Sequence, residues 1–403
     1  DNNGITGWTR VGTTAYYSQC EGDATPDQPN LPPNSTWLMQ VTIVSSQIST
    51  VEDLRVLSPS GHIPVERYAS FAAAIDTLGG GPPVSLYIGG GVRVTASIII
   101  PANIHLAFSV NGRLRIASGI TVTYRGSCNN WPLSRHFDTQ TAVVDSTGHM
   151  VFSRNCAALY PQWWGAVPSN SESDASANTY AMKKMADSAR RSVYANIIIT
   201  PGIYYFGVQY WVGATQDAAL RYAGRAYQPE YVLRFIEGIP GNACTNCEIT
   251  ITGYGATLRR IAGFRYGSFD PVTQAAVASS DTTFQAHGGD GIIEITAPAK
   301  FIVRGLTIDG NRANVTLGGL WGGAYEIGGS AIVVYGSLLT RLEDLVLTLN
   351  LSDGITKGTT TLDETDPFRN FVISNVRSTY NARHGMAAVC GKGLFISNSS
   401  FNF

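Results

Sequence analysis

Four short stretches decide how this chain reads: Asp290-Gly291-Ile292-Ile293, Ser330-Ala331-Ile332-Val333, Asp353-Gly354-Ile355-Thr356 and His384-Gly385-Met386-Ala387. Each is a small or polar corner followed by an apolar run. A second series keeps step with them: Gly305-Leu306-Thr307-Ile308, Asp344-Leu345-Val346-Leu347, Asn375-Val376-Arg377-Ser378 and Asn398-Ser399-Ser400-Phe401. A third column is Asn311, Asn350 and Asn381. The series hold their phase while the spacing between repeats varies. Short strands on a fixed ladder, joined by loops of variable length, describe a parallel β-helix. A propeller or leucine-rich array would keep a tighter period. Asn at the corners has a physical reason. Stacked amides can hydrogen-bond the turn backbone of the next coil, and Asn tolerates the left-handed conformation that such corners use.

Moving towards the N-terminus, Ser85-Leu86-Tyr87-Ile88, Ser97-Ile98-Ile99-Ile100, Ile104-His105-Leu106-Ala107-Phe108, Leu114-Arg115-Ile116 and Ile120-Thr121-Val122-Thr123-Tyr124 alternate between Gly or Pro-Ala-Asn turns. Such frequent turns predict short strands winding in coils. Residues 68–78 read as a short helix ended by Gly79-Gly80-Gly81, and 177–191 as a second helix with Tyr180, Met182, Met185 and Ala189 on its apolar face. The second helix leads into Ile197-Ile198-Ile199-Thr200-Pro201-Gly202-Ile203-Tyr204-Tyr205-Phe206, a plausible cap and first coil. Residues 1–50 read as irregular, with an extended linker over 23–35 and a strand over 37–48. The division expected is an N-terminal anchor or linker segment (1–57), a short N-terminal solenoid (58–166) and a main β-helix (167–403), incomplete at its C-terminus. The chain opens on Asp1-Asn2-Asn3-Gly4 with no visible signal peptide. The last repeat runs to Phe403 with no polar cap, so either a longer natural chain or other subunits are expected to cover it.

Composition narrows the function classes. The 403 residues carry 28 Lys+Arg against 29 Asp+Glu, a net charge of −1, and only 14% charged residues, against ~25% in an ordinary domain. A neutral chain lacks the basic stripe that nucleic-acid binding needs, and no run of ~18 apolar residues could span a membrane. The six cysteines, at 20, 128, 156, 244, 247 and 390, permit three disulfides without demanding them. Cys244-Thr245-Asn246-Cys247 has no second ligand pair for zinc and leads into a strand, so structural thiols or a local disulfide are expected.

A family resemblance rests on Tyr160-Pro161-Gln162-Trp163-Trp164-Gly165-Ala166 with the helix and Pro-Gly-Ile-Tyr-Tyr strand behind it. This resembles the entry segment of pectate-lyase-like right-handed β-helix proteins. Ile100-Pro101-Ala102-Asn103 and Gly112-Arg113-Leu114-Arg115-Ile116 are similar to the short solenoid before that motif, and Ser49-Thr50-Val51-Glu52-Asp53-Leu54-Arg55 to the lead-in of phage tailspikes. The resemblance covers about residues 50–403. Where family members commonly carry Gly-Asp-Gly-x-x-Asp-Asp, this chain has Val167-Pro168-Ser169-Asn170-Ser171-Glu172-Ser173-Asp174. The resemblance implies an all-β, right-handed parallel β-helix with short capping helices and an irregular N-terminal segment. It also implies carbohydrate work in a virion tail, a homotrimer, and contact with other virion tail proteins through the N-terminal segment. The rivals are a non-catalytic spike or adhesin and a secreted bacterial polysaccharide lyase, because fold alone does not choose a reaction.

Coils stack ~4.8 Å apart, so one column brings Asp353 beside His384, with Arg383 next to it. A carboxylate, an imidazole and a guanidinium together could act on a sugar as acid or base; equally, they could be turn residues that satisfy the ladder. Asp309 stands where a strand meets the insertion 313–329, which holds Trp321, Tyr325 and Glu326. Rings pack on sugar faces and carboxyls transfer protons, although an Asp-Gly turn and a surface loop explain the same residues. Asp309 with Glu326, or Asp309 with Asp353, are the candidate carboxyl pairs, and His384 is the alternative proton carrier. Arg312 and Arg383 would bind an anionic sugar, and Trp321 and Tyr325 would stack on one. Asp363, Glu364 and Asp366 could ligate Ca²⁺ but read better as a solvated loop. His62, His105, His136, His149 and His287 show no metal spacing. No metal or cofactor is expected. The predicted partner is a cell-surface polysaccharide, bound and depolymerised by hydrolysis or β-elimination.

Overall fold

The computed structural model describes residues 4–11, 14–20, 36–44, 47–52, 62–128, 131, 133–139, 148–156, 158–192, 194–211, 227–229, 232–236, 247–267, 269–270, 272–278, 291–296, 300–319, 329–358, 369–389 and 392–402. They are mostly strand, with two α-helices. One expectation is corrected at the start. Gly4–Val11, Thr14–Cys20, Thr36–Val44 and Gln47–Glu52 form a four-stranded antiparallel sheet, so the described part of the first fifty residues is regular. The strand expected over 37–48 is there as Thr36–Val44 and the start of Gln47–Glu52, whereas the first two strands lack the apolar alternation that marks a strand in sequence.

From residue 63 almost all pairing is parallel. Three three-stranded ladders come first: Ile63–Pro64, Val84–Ile88 and Ile104–Phe108; Gly91–Val94, Arg113–Ile116 and Phe137–Thr139; Ile98–Ile100, Thr121–Tyr124 and His149–Phe152. Helix α1 (Phe71–Leu78) begins at Ser70, whose hydroxyl accepts from Ala73 N, and ends at Gly79. Helix α2 (Ala175–Arg191) buries Met182, Met185 and Ala189. A hydroxyl of α2 fixes its seat: Ser188 Oγ donates to Met150 O (2.6 Å).

The C-terminal half is built on two larger parallel sheets. One has eight strands, with Tyr194–Ile198, Glu248–Arg260, Lys300–Asp309, Leu339–Thr348, Arg369–Thr379 and Lys392–Ser397 in order; Gly202–Phe206 and Ser400–Phe401 lie alongside. The other stacks Leu233–Ile236, Ile293–Thr296, Ile332–Gly336, Ile355–Lys357 and Met386–Ala388. Inward positions line up between strands, as Ile251, Val303, Leu342 and Ile373 do, and Ala256, Leu306, Leu345 and Val376. All eight are at most 1% exposed, and full burial of the Val, Leu and Ile side chains among them stabilises by ~1.5–3 kcal/mol each. One continuous core runs from Val65 to Val376.

The long strands bend at one column. Gly255, Gly305, Asp344, Asn375 and Asn398 share it, and all have positive φ, from 46° to 77°. The left-handed region explains why Gly, Asn and Asp stand there. At the next corner Leu349 (φ 53°) and Tyr380 (φ 58°) adopt the same conformation, at ~1–2 kcal/mol each for such side chains. The buried amides beside them hold it: Asn350 Nδ2 donates to Asn381 Oδ1 (2.8 Å), and Asn311 Nδ2 donates to Arg260 O (2.9 Å).

Candidate functional site

The corner that precedes the five-stranded sheet collects the polar chemistry. Ile332, Ile355 and Met386 pair in sequence, which puts Ser330, Asp353 and His384 in one column. The first repeat is displaced by one residue from the sequence alignment: Ile293, not Ile292, pairs with Ile332. Two adjacent isoleucines made either register plausible. Asp290 itself lies outside the described residues.

Asp353 is fully buried. Its Oδ1 accepts from Arg383 Nε (2.9 Å), from His384 N (3.1 Å) and lies 3.2 Å from His384 Nδ1; its Oδ2 accepts from Arg383 (2.5 Å) and from Thr356 Oγ1 (3.0 Å). Thr356 Oγ1 also meets Ser330 Oγ at 2.7 Å. Gly354 makes this packing possible, since a Cβ there would stand 1.8 Å from Ser378 Oγ. Burial alone would raise the Asp353 pKa. The Arg383 hydrogen bonds and charge, with Thr356 and His384, outweigh it and hold the carboxyl below its ordinary value. Asp353 is therefore a fixed anion and a poor proton donor. The half-exposed His384 side chain is oriented through Nδ1 by that anion.

Asp309 has a different setting. Its Oδ1 accepts from Asn311 N (2.8 Å) and its Oδ2 lies 3.3 Å from Arg259 Nε. It shares a column with Arg259, Thr348 and Thr379, not with Asp353, and each of the two aspartates has its own arginine. Arg312 opens a 3-10 turn, and its backbone N–H donates to Leu349 O (3.0 Å). Thus Asp353, Arg383 and His384 come together, while Asp309 and Arg312 sit at the next corner column. Trp321, Tyr325 and Glu326, and Asp363, Glu364 and Asp366, lie outside the described residues, as does His287. Among the described residues no His, Cys, Asp and Glu cluster has metal-site geometry, and no helix is long and apolar enough to cross a membrane.

Two features were not anticipated. Lys357 ends the strand after Asp353 and is 6% exposed, with Nζ donating to Gly358 O (3.3 Å). A second buried cluster joins α2 to the ladder before it: Asp187 accepts from Arg190 and Arg191 and lies 2.7 Å from His149 Nδ1. Those partners lower the Asp187 pKa against the opposing effect of burial. His149, read from sequence as an ordinary histidine, docks the helix; pairing across 38 residues leaves no local signature. A cleft of about 420 Å³ opens beside the start of α2, between Glu172, Ser176, Gln209, Phe264 and Arg265; none of the candidate residues lines it.

Cys128 and Cys156 form a disulfide, and Cys247 is also disulfide-bonded. Both agree with the even cysteine count. No protein-family model, curated protein or solved structure matches the chain.

Proposed function

We propose that this chain is a right-handed parallel β-helix of the pectate-lyase-like tailspike type that binds and depolymerises a bacterial cell-surface polysaccharide. The in-phase parallel ladders and the left-handed corner column support the fold. The cluster of Asp353, Arg383 and His384 carries the functional reading. Its chemistry favours β-elimination over two-carboxyl hydrolysis, because Asp353 is committed to its arginine and cannot serve as the raised-pKa acid that hydrolysis requires. In β-elimination, the His384 imidazole takes the proton from the carbon next to a uronate carboxyl. The electron pair forms the ring double bond, and the bond to the leaving glycosidic oxygen breaks, that oxygen taking a proton from solvent. The organism-level setting is a virion tail, as a homotrimer attached through the N-terminal segment.

The test is incubation with capsule or lipopolysaccharide from candidate hosts. Ultraviolet absorbance of an unsaturated uronate is the expected product signal, lost in His384→Ala. New reducing ends without that absorbance would indicate hydrolysis instead. Binding without either product would support the second reading, a non-catalytic spike. The complete use of Asp353 within the corner favours that reading.

A further inference from the structure

We propose that Tyr254 is a stacking platform for a neutral pyranose ring, on the outer face of the eight-stranded sheet and in a different column from Asp353 and His384. The sugar class rests on the polysaccharide reading above. The geometry is specific. A Cβ built on Gly305 would stand 2.5 Å from both Cγ and Cδ1 of Tyr254 and 2.8 Å from Cδ2. Near-equal approach to three ring atoms means that the ring lies face-on over the Gly305 backbone. Tyr254 is nevertheless 53% exposed, so the opposite face of the ring is turned outwards. Glycine at 305 serves twice, adopting φ 71° and leaving room for the ring.

The far end of the ring is also fixed. Tyr254 Oη donates to Asp344 Oδ2 (2.7 Å), and Asn375 Nδ2 donates to Asp344 Oδ1 (2.7 Å). The phenol thus reaches past one strand to the next, across 90 residues of chain. An aromatic side chain pinned at both ends loses little entropy on binding, which is how a rigid ring gains affinity. The surrounding charges choose the sugar. Among the described residues, the charges that act on the Tyr254 phenol are Asp344 and Glu343 against Arg304, whose Nε already donates to Thr252 Oγ1 (3.1 Å). A net negative surround disfavours a uronate, and carboxylate oxygens accept from sugar hydroxyls.

The test titrates methyl β-glucopyranoside, methyl β-galactopyranoside and methyl β-glucuronide into ring-labelled protein at millimolar concentration, with the Tyr254 signals assigned by their absence in Tyr254→Phe. At least one neutral glycoside should shift those signals, and the glucuronide should shift them less. Affinity for that glycoside, read from saturation transfer on the ligand, should fall about tenfold in Tyr254→Ala. It should stay within about threefold of the parent in Tyr254→Phe, which keeps the ring and loses the bond to Asp344. Unshifted Tyr254 signals with both neutral sugars, tighter glucuronide binding, or a Tyr254→Phe variant as weak as Tyr254→Ala would each overturn the proposal. The last would leave the tyrosine as a strap between strands. The titration reads Tyr254 directly, so it stands or falls whether or not any polysaccharide is cut.

Discussion

The ladders before α2 and those after it solve the same stacking problem with different side chains. In the first, a cluster of large rings joins an aliphatic interior that includes Leu86, Ile88, Ile100, Ile104, Leu114 and Ile116. Trp131 lies 4.9 Å from Trp163 and 4.8 Å from Phe108, and Phe108 stacks on His136 at 4.4 Å. The ring polar atoms are spent on backbone: Trp131 Nε1 donates to Leu106 O and Tyr124 Oη donates to Ser127 O, while burial pushes the Tyr124 pKa up to about 12. The later ladders are filled mainly by aliphatic stacks, with Phe235 and Phe301 5.3 Å apart among them, and their polar groups gather at the corners. Aromatic and disulfide staples lock the first region as a base. The second keeps its chemistry where loops and solvent meet it, so a functional site is sought there.

That contrast can be broken by mutation. Trp163→Ala removes a fully buried indole and should cost ~3–5 kcal/mol, read as an earlier midpoint in chemical denaturation. A smaller loss would mean that the aromatic core is not what holds the first region. Cys128→Ser opens a cross-link spanning 28 residues and should cost ~3–4 kcal/mol, read as an earlier midpoint in chemical denaturation under oxidising conditions. At the later corner, Asp353→Asn should cost ~2 kcal/mol, because Arg383 loses its charge partner while most hydrogen bonds can be remade. It should also abolish any depolymerisation that depends on an oriented His384. Asp309→Asn should cost no more than ~1 kcal/mol and leave product formation near the parental rate. Equal losses of activity at the two positions would return Asp309 to the chemistry.

Acid sharpens the comparison further. Asp187 and Asp353 both have lowered pKa values in the folded state. The stability they contribute is complete above the unfolded carboxyl value, ~3.9, and is lost as pH falls through their lower folded values. Thermal midpoints should therefore drop as the pH falls below about 4. Asp187→Asn and Asp353→Asn should each flatten that drop slightly, and a flat parental profile would contradict both assignments.

Much of the repeat was legible. Ser330, Asp353 and His384 share a column, as do Gly305, Asp344, Asn375 and Asn398, because corners need residues that tolerate unusual backbone or small volume. The column of Asn311, Asn350 and Asn381 was legible for the same reason, and both helices lie within two or three residues of their expected starts. What escaped depends on contacts between distant segments. The first two strands of the antiparallel N-terminal sheet, Gly4–Val11 and Thr14–Cys20, have no apolar period. The pairing of His149 with Asp187 and the reach of Tyr254 to Asp344 join residues with no motif in common. The commitment of Asp353 to Arg383 was only half visible: proximity followed from the column, but which of the two charges would be used up did not.

The stacked corners also bear on how such a chain can change over generations. The ion pair of Glu248 with Lys300 joins strands 52 residues apart in sequence, whereas Val376 and Ser399, bonded across the last pair of long strands, are separated by only 23. Ring-closure entropy grows only with the logarithm of length, so the longer connection costs less than ~1 kcal/mol more than the shorter one. Evolution can therefore lengthen or exchange the excursions after Arg260 and Asp309 almost without penalty to the ladder. Two of them even brace each other, Arg265–Gly267 running parallel to Thr316–Gly318. New specificities should arise by paired replacement of neighbouring excursions, with the stack beneath inherited unchanged.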